Sequence, residues 1–270
     1  MSEAIVGFLL FYLKMIALTL GAILICGLAV RLLSRVFSYL VGSGSGIFFG
    51  VTSILGTPVH ELGHALFCLL FGHKIERMKL WSPTAKDGLY GFVEHSYNRK
   101  NPWARLGNLF IGIGPIFSGL GTVILMLCLC FPDQWASFLE TSEALSHTGA
   151  DWGELSQGIF SLFLQLPEAF RENALVSTLG LLVILSVALH ISLSVQDIKG
   201  ALSALPICFA LLALISLILY AVGWDATVTS VLSLCNIRLL SLFALVIAFG
   251  ALWVLLGACI KLIRMIIHSF

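Results

Sequence analysis

Six long stretches of the chain contain almost no charged residues, and polar segments separate them. Each stretch has the roughly 20 mostly apolar residues that a helix needs to cross the hydrocarbon core of a bilayer. The stretches are Ala4–Val30, Gly46–Phe71, Ala104–Phe131, Ala174–Val195, Ala201–Val222 and Leu239–Ile263. We therefore expect an all-α polytopic membrane protein with about six transmembrane helices.

The composition supports this interpretation. Hydrophobic residues make up 59% of the chain and charged residues 11%, and the mean hydropathy is +1.03. Soluble domains carry about 25% charged residues, so a soluble fold of this length could not cover its surface with polar groups. The formal net charge of +1 argues against a nucleic-acid partner, which needs a basic patch. The seven Cys lack the spacing of a metal finger or a disulfide scaffold.

Two polar connections between the apolar stretches are long enough to form structure. In the first, Ile75–Trp81 alternates loosely and Leu89–Val93 can return as a second strand, with turn signals at Pro83 and Asp87-Gly88. This pattern predicts a β-hairpin. The second connection is acidic, and its stretch Trp152–Phe170 is amphipathic enough to lie in a membrane interface.

The distribution of Lys and Arg predicts the orientation in the membrane. Basic residues concentrate on the cytoplasmic side of membrane proteins. The hairpin connection is rich in Lys and Arg, and Lys199, Lys261 and Arg264 fall on the same side if the helices alternate. We therefore expect cytoplasmic N- and C-termini, with the hairpin also cytoplasmic, in a bacterial cytoplasmic membrane. Arg31 and Arg35 are the main observation against this orientation.

The second apolar stretch carries the motif His60-Glu61-Leu62-Gly63-His64. Residues four apart lie on one face of a helix, so both imidazoles can reach one metal ion. Zinc binds imidazole nitrogen readily, and Glu61 can accept the proton of a zinc-bound water. Each ionisable residue inside a spanning helix costs about 3 kcal/mol on insertion scales, so such a cluster indicates a binding site or a wet cavity. Hydrogen bonding between helices is the structural alternative.

A zinc site of this kind needs a third protein ligand at a similar depth. Asp197 follows the fourth apolar stretch and, in the predicted orientation, lies near the cytoplasmic end, as do His60 and His64. His190 is the rival candidate. In a regular helix it would lie about 10 Å from Asp197 along the axis, so both could hardly bind one ion. Depth favours Asp197, and a core histidine bonded to a neighbouring helix is the simpler role for His190.

His60-Glu61-Leu62-Gly63-His64-Ala65-Leu66 in an apolar span resembles the motif of the site-2 protease family of intramembrane zinc metalloproteases. The stretch from Gly112 to Gly119, with Pro115 at its centre, is similar to the family's small-residue A-G-P segment. A span followed by Asp197 stands where the family has its third ligand. The context of that residue, Gln196-Asp197-Ile198-Lys199-Gly200, departs from the family's Asn/Pro-rich stretch ending in L-D-G.

The resemblance covers residues 46–205, which would form a metalloprotease core of three helices with the hairpin. Residues 1–45 would add an N-terminal helix and linker, and residues 206–270 two C-terminal helices. No segment long enough for a PDZ-like domain is present, so the chain resembles the compact branches of the family. The structural core would then hold Zn²⁺ through His60, His64 and Asp197.

The activity implied by the resemblance is hydrolysis of a peptide bond within or near a transmembrane segment of a membrane-protein substrate. Glu61 would be the general base, and the hairpin would hold the unwound substrate as an added strand. His95 and Asn98 follow the hairpin and are candidate substrate-binding residues, with solvated loop positions as the alternative. Two other functions stay open: another membrane zinc hydrolase, and a non-enzymatic transporter or scaffold with a metal site. A transporter would be expected to show repeat symmetry, which this sequence lacks.

Overall fold

The computed structural model describes residues 2–83, 89–148 and 152–267. In these residues the fold consists of nine α-helices and one small two-stranded sheet. The helices before the sheet are α1 (Ser2–Ile16), α2 (Ala22–Val41) and α3 (Ser45–Leu70). The strands are β1 (Lys74–Lys79) and β2 (Phe92–Ser96). The remaining helices are α4 (Pro102–Cys130), α5 (Pro132–Thr148), α6 (Trp152–Glu172), α7 (Ala174–His190), α8 (Val195–Ala221) and α9 (Asp225–Ile267).

Four helical runs among the described residues are long and apolar enough to cross a membrane. They are Glu3–Leu70, Pro102–Cys130, Val195–Ala221 and Asp225–Ile267. The first run contains both the first and the second predicted spans. A π-helical turn at Ala17–Gly21 interrupts the first span, and a 3₁₀ turn at Gly42–Gly44 precedes the second. The fourth predicted span corresponds to α7, which has only 17 residues. The count of six spans is therefore not confirmed, whereas long apolar helices compatible with a membrane protein are present.

The fourth predicted span ends earlier than its apolar pattern indicates. Helix α7 stops at His190, and residues 191–194 connect it to α8. Ser194 starts α8 with a capping box: its side chain accepts a hydrogen bond from the Asp197 amide, and the Asp197 carboxylate accepts one from the Ser194 amide. The expectation that the fourth span runs on directly to Asp197 is thus wrong. Asp197 instead lies in the first turn of α8, because this pair of hydrogen bonds starts a new helix.

The predicted hairpin is present as an antiparallel pair, with Lys74 opposite Ser96 and Lys79 opposite Phe92. Strand β2 begins three residues later than the predicted return strand. Arg77 and Glu94 form a two-pronged ion pair on the exposed surface of the sheet, with N–O distances of 2.7 Å. The predicted turn at Asp87-Gly88 lies outside the described residues. The cytoplasmic location of the hairpin stays a prediction.

The acidic connection forms α5 and α6. Leu155 and Leu162 on α6 are buried at 3% and 0% exposure, whereas Phe160 and Leu164 on the same helix are 63% exposed. One face of this helix therefore packs on the protein and another is apolar and uncovered. This agrees with the amphipathic pattern, and a position in the membrane interface stays a prediction.

The main core lies around α4, whose buried face packs on α7, α8 and α9. Ile116, Val123 and Leu127 on α4 are almost fully buried. Outside this core the long helices expose many large apolar side chains, among them Leu32 at 61%, Leu69 at 69% and Leu214 at 55%. Monomeric soluble proteins rarely expose such contiguous apolar surface, so this surface is compatible with contact to lipid.

Candidate metal centre

His60, Glu61 and His64 lie in the second half of the 26-residue helix α3. The two imidazoles are one helical turn apart, and their Nε2 atoms approach to 3.2 Å. The side chains are largely buried, with exposures of 15% for His60 and 10% for His64. The spacing of the motif therefore places both rings at one point, as the sequence predicts.

Asp197 reaches the same point from the first turn of α8. Its Oδ1 lies 3.3 Å from His64 Nε2, and its Oδ2 lies 3.7 Å from His60 Nε2. The carboxylate is 11% exposed. His60, His64 and Asp197 thus form a group in which each side chain offers one potential ligand atom and these atoms lie within 4.8 Å of one another.

The ring of His64 is oriented by a carbonyl on α4. His64 Nδ1 donates to the Ile111 carbonyl oxygen at 2.7 Å. In a regular helix this oxygen would accept from the amide four residues later, but that residue is Pro115, which has no N–H. The proline in the middle of α4 therefore leaves the Ile111 carbonyl available to His64.

The ring of His60 is oriented by the end of α7. His60 Nδ1 donates to the His190 carbonyl oxygen at 2.9 Å. Four residues later, the amide of Ser194 donates instead to Asp197 Oδ2 at 2.6 Å. The helix break thus supplies an acceptor for His60 and positions Asp197.

Two neighbouring carbonyls at this break also receive side-chain hydrogen bonds from α2. Ser34 Oγ donates to the Leu189 carbonyl at 3.2 Å, and Arg31 donates to the Leu193 carbonyl at 2.9 Å. Unpaired carbonyls in an apolar environment cost several kcal/mol each in bilayers. These contacts therefore stabilise the break, and they give Arg31 a role inside the protein.

The hydrogen bonds at Nδ1 decide what the other ring nitrogens can do. A carbonyl oxygen only accepts, so both Nδ1 atoms carry hydrogen and both Nε2 atoms of the neutral rings are acceptors. These two acceptors and the Asp197 carboxylate converge without a donor between them. Their mutual repulsion is relieved by a cation at this position, and a bonded Nδ1 is the usual arrangement behind a metal-binding imidazole.

The predicted small-residue segment of α4 packs directly against the motif helix. A Cβ atom added to Gly63 would lie 2.6 Å from the Gly114 carbonyl oxygen and 2.5 Å from Ser118 Oγ. Real Cβ atoms essentially never approach so closely, so a larger residue at 63 would separate α3 from α4. This close approach brings the Ile111 carbonyl within reach of His64.

A cavity of about 410 Å³ opens beside the three candidate ligands. Its lining includes Glu61, Asn108 and the segment from Gly91 to His95 at the start of β2. A second cavity of about 360 Å³ shares His60 and Glu61 with it. Glu61 is 7% exposed and borders both spaces beside the candidate ligands.

The other candidate residues fall in different places. The His190 side chain forms a hydrogen bond with Thr52 Oγ1 at 3.0 Å and so contacts a neighbouring helix. This is the simpler role considered for His190. The group of candidate ligands does not include it. His95 lines the larger cavity. Asn98 is exposed and its side chain accepts from the Lys100 amide, so its contacts are those of a loop residue.

Two contributors were not identified from the sequence. One is the carbonyl of Ile111, although the proline four residues later was a usable signal for a free acceptor. The other is Ser194, whose Ser-x-x-Asp spacing to Asp197 is a recognisable helix start.

The surroundings of His95 favour its neutral form by lowering its pKa. Burial lowers the pKa of its imidazole, and the nearby rings of His73 and His64 lower it further. A neutral imidazole next to the cavity offers a lone pair to a ligand.

Comparison with protein-family models, with curated proteins and with solved structures found no match to this chain. Its function must therefore be inferred from the geometry of the site.

Proposed function

We propose that this chain is an intramembrane zinc metalloendopeptidase that hydrolyses a peptide bond within or near a transmembrane segment of a membrane-protein substrate. The observation that carries the proposal is the convergence of His60, His64 and Asp197. Three acceptor atoms from two helices meet there, and each imidazole is held from behind by a carbonyl oxygen. His60, His64 and Asp197 would hold the zinc.

The spacing of the donors fits zinc. With Zn–N distances of 2.0–2.1 Å, two ligands of a tetrahedral ion lie about 3.3 Å apart. The two Nε2 atoms here are 3.2 Å apart, and the nearest Asp197 oxygens, Oδ1 for His64 and Oδ2 for His60, lie at 3.3 and 3.7 Å. Three protein ligands leave one coordination position open, which is typical of catalytic rather than structural zinc sites.

Glu61 is the residue that would move the proton. When bound, zinc lowers the pKa of a coordinated water and polarises a carbonyl group. Glu61 follows His60 directly on α3 and borders both cavities. Its carboxylate would take the proton from the attacking water and then deliver it to the nitrogen of the leaving amine. The low exposure of Glu61 keeps bulk water from competing for this proton.

Strand β2 provides a surface for an unwound substrate. A transmembrane helix shields its peptide bonds by its own hydrogen bonds, so the substrate must become extended before it is cut. Strand β2 pairs with β1 on one edge, and no strand pairs with its other edge among the described residues. Residues 91–95 line the larger cavity, so an extended peptide added to this edge would run beside Glu61.

The proposal is tested with the purified full chain in detergent and a single-span membrane protein as substrate. We expect about one zinc to be lost when His60 and His64 are both changed to Ala. We expect Glu61→Gln to retain this zinc and to lose cleavage, because the base but not the ligand set is removed. Glu172→Gln, an exposed glutamate at the end of α6, is the matched control and should cleave normally.

Two results would reject the proposal. Cleavage that survives Glu61→Gln would exclude the proton transfer described here. A wild-type chain without metal at this group would mean that a proton, shared between an imidazole and Asp197, replaces the ion, and a zinc enzyme would be excluded. A chain that holds zinc but cuts no peptide would instead favour another membrane hydrolase or a transporter.

A further inference from the structure

A second group of metal-binding side chains lies outside the centre described above. It comprises Cys68 in the last turn of α3, His73 in the turn before β1, and His95 on β2. One ligand atom from each residue lies within 4.8 Å of the others. The two Nδ1 atoms, of His73 and His95, are 3.0 Å apart. None of these residues has a role in the proposed proton transfer.

The ring of His73 is fixed with a lone pair facing the group. Its Nε2 lies 2.7 Å from the Ala104 carbonyl oxygen, so Nε2 must carry the hydrogen and Nδ1 is an acceptor. The ring of Tyr97 stacks on His73 at 4.6 Å, and the His73 amide donates to the Cys68 carbonyl at 2.8 Å. A metal-binding imidazole typically shows this bonded outer nitrogen.

Two of the three side chains are buried away from solvent. Cys68 is 0% exposed and His73 is 4% exposed, whereas His95 is half-buried and borders the larger cavity. A thiol and two imidazoles that meet in a buried position form a donor set suited to zinc and related divalent ions. The hydrogen bond between the two Nδ1 atoms uses a single proton and does not involve the thiol.

We propose that Cys68, His73 and His95 bind a second divalent metal ion of the zinc class. Binding would release the thiol proton of Cys68 to solvent, and the proton on His95 Nδ1 would move to its Nε2, so one proton leaves per ion bound. The ion would tie β2 and the start of β1 to the end of α3. It would thereby fix the hairpin segment that lines the larger cavity.

Metal content and cobalt spectroscopy test this site independently of cleavage. We expect the wild-type chain to hold two zinc ions and Cys68→Ser to hold one. When Co²⁺ replaces zinc, a cysteine ligand gives a near-ultraviolet thiolate-to-cobalt charge-transfer band. The first centre has no sulfur ligand, so this band should persist when His60 and His64 are changed to Ala and should vanish in Cys68→Ser. Cys26→Ser, a buried cysteine on α2, is the matched control and should keep the band.

A second variant keeps the test decisive if Cys68→Ser does not fold. His95→Gln changes a half-buried residue on the hairpin and should also reduce the zinc content from two ions to one. A single zinc per wild-type chain, lost together with His60 and His64, would overturn the proposal. A charge-transfer band that survives Cys68→Ser would overturn it as well. Neither result depends on whether the chain cleaves a peptide.

Discussion

Replacing Pro115 by Ala tests whether a proline in α4 helps to build the candidate metal centre. The proline leaves the Ile111 carbonyl without its usual amide partner, and His64 Nδ1 donates to that oxygen at 2.7 Å. Alanine restores an amide hydrogen at position 115, which would bond to Ile111 and straighten the helix. We therefore expect Pro115→Ala to loosen the orientation of the His64 ring.

The size of the effect follows from the contact that is weakened. Loss of a partner that orients a metal-binding histidine costs about 10–100-fold in metal affinity. A carbonyl oxygen can accept two hydrogen bonds, so His64 would keep part of its contact. We expect the lower end of the range, about a tenfold weaker zinc affinity, or about 1.4 kcal/mol. The free energy of unfolding should increase, because proline inside a helix costs up to about 3 kcal/mol relative to alanine.

Pro206→Ala is the matched control. Pro206 lies inside α8, and no side chain among the described residues donates to the Leu202 carbonyl that it leaves free. This variant should gain stability without losing zinc affinity. The zinc dissociation constants are measured by competition with a chelator in detergent, and stability by thermal unfolding. Equal zinc affinities for the two variants would show that Pro115 does not orient His64.

The same competition assay checks three further predictions. Loss of a partner that orients a metal-binding histidine weakens metal binding roughly 10–100-fold, and Asp197→Asn should weaken zinc binding by more than this. His190→Gln should retain zinc, because the backbone carbonyl that orients His60 is unchanged. The reverse order of affinities would make His190 the ligand. Ser194→Ala removes a helix cap worth about 1 kcal/mol and should weaken zinc binding about fivefold; an unchanged affinity would mean that the cap does not position Asp197. Gly112→Ala puts a Cβ 2.5 Å from the Asp197 carbonyl oxygen and should lower both the zinc affinity and the stability. The control Gly121→Ala meets no atom within 4 Å and should lower neither. Equal results for the two variants would contradict this packing.

The sequence predicted those parts of the molecule that depend on local pattern. The long apolar runs are helices, and the connection after His73 contains the expected antiparallel strands. The placement of His60 and His64 on one face follows from the 3.6-residue repeat alone. These features need no knowledge of the tertiary structure, because the periodicity and the spacing of the residues determine them.

The end of α7 could not be predicted from hydrophobicity. The residues from Val187 to Val195 stay apolar apart from single polar positions, so the pattern continues through the break. The helix ends because Ser194 and Asp197 cap the next one. In addition, side chains from other helices donate hydrogen bonds to the carbonyls that lack a backbone partner. The first contribution is readable as a short motif, whereas the second depends on contacts between residues more than 120 positions apart, as for His60 and His190.

The orientation of both histidines of the candidate metal centre depends on an interruption of a neighbouring helix. A regular helix in a bilayer uses every carbonyl internally and offers no acceptor to an imidazole. Helix α4 provides one because Pro115 lacks an amide hydrogen, and α7 provides the other because it ends at His190. The second interruption also diverts the Ser194 amide to the Asp197 carboxylate. The three candidate ligands are therefore coupled through backbone geometry, and a change that restores either helix should weaken metal binding while it improves the helix.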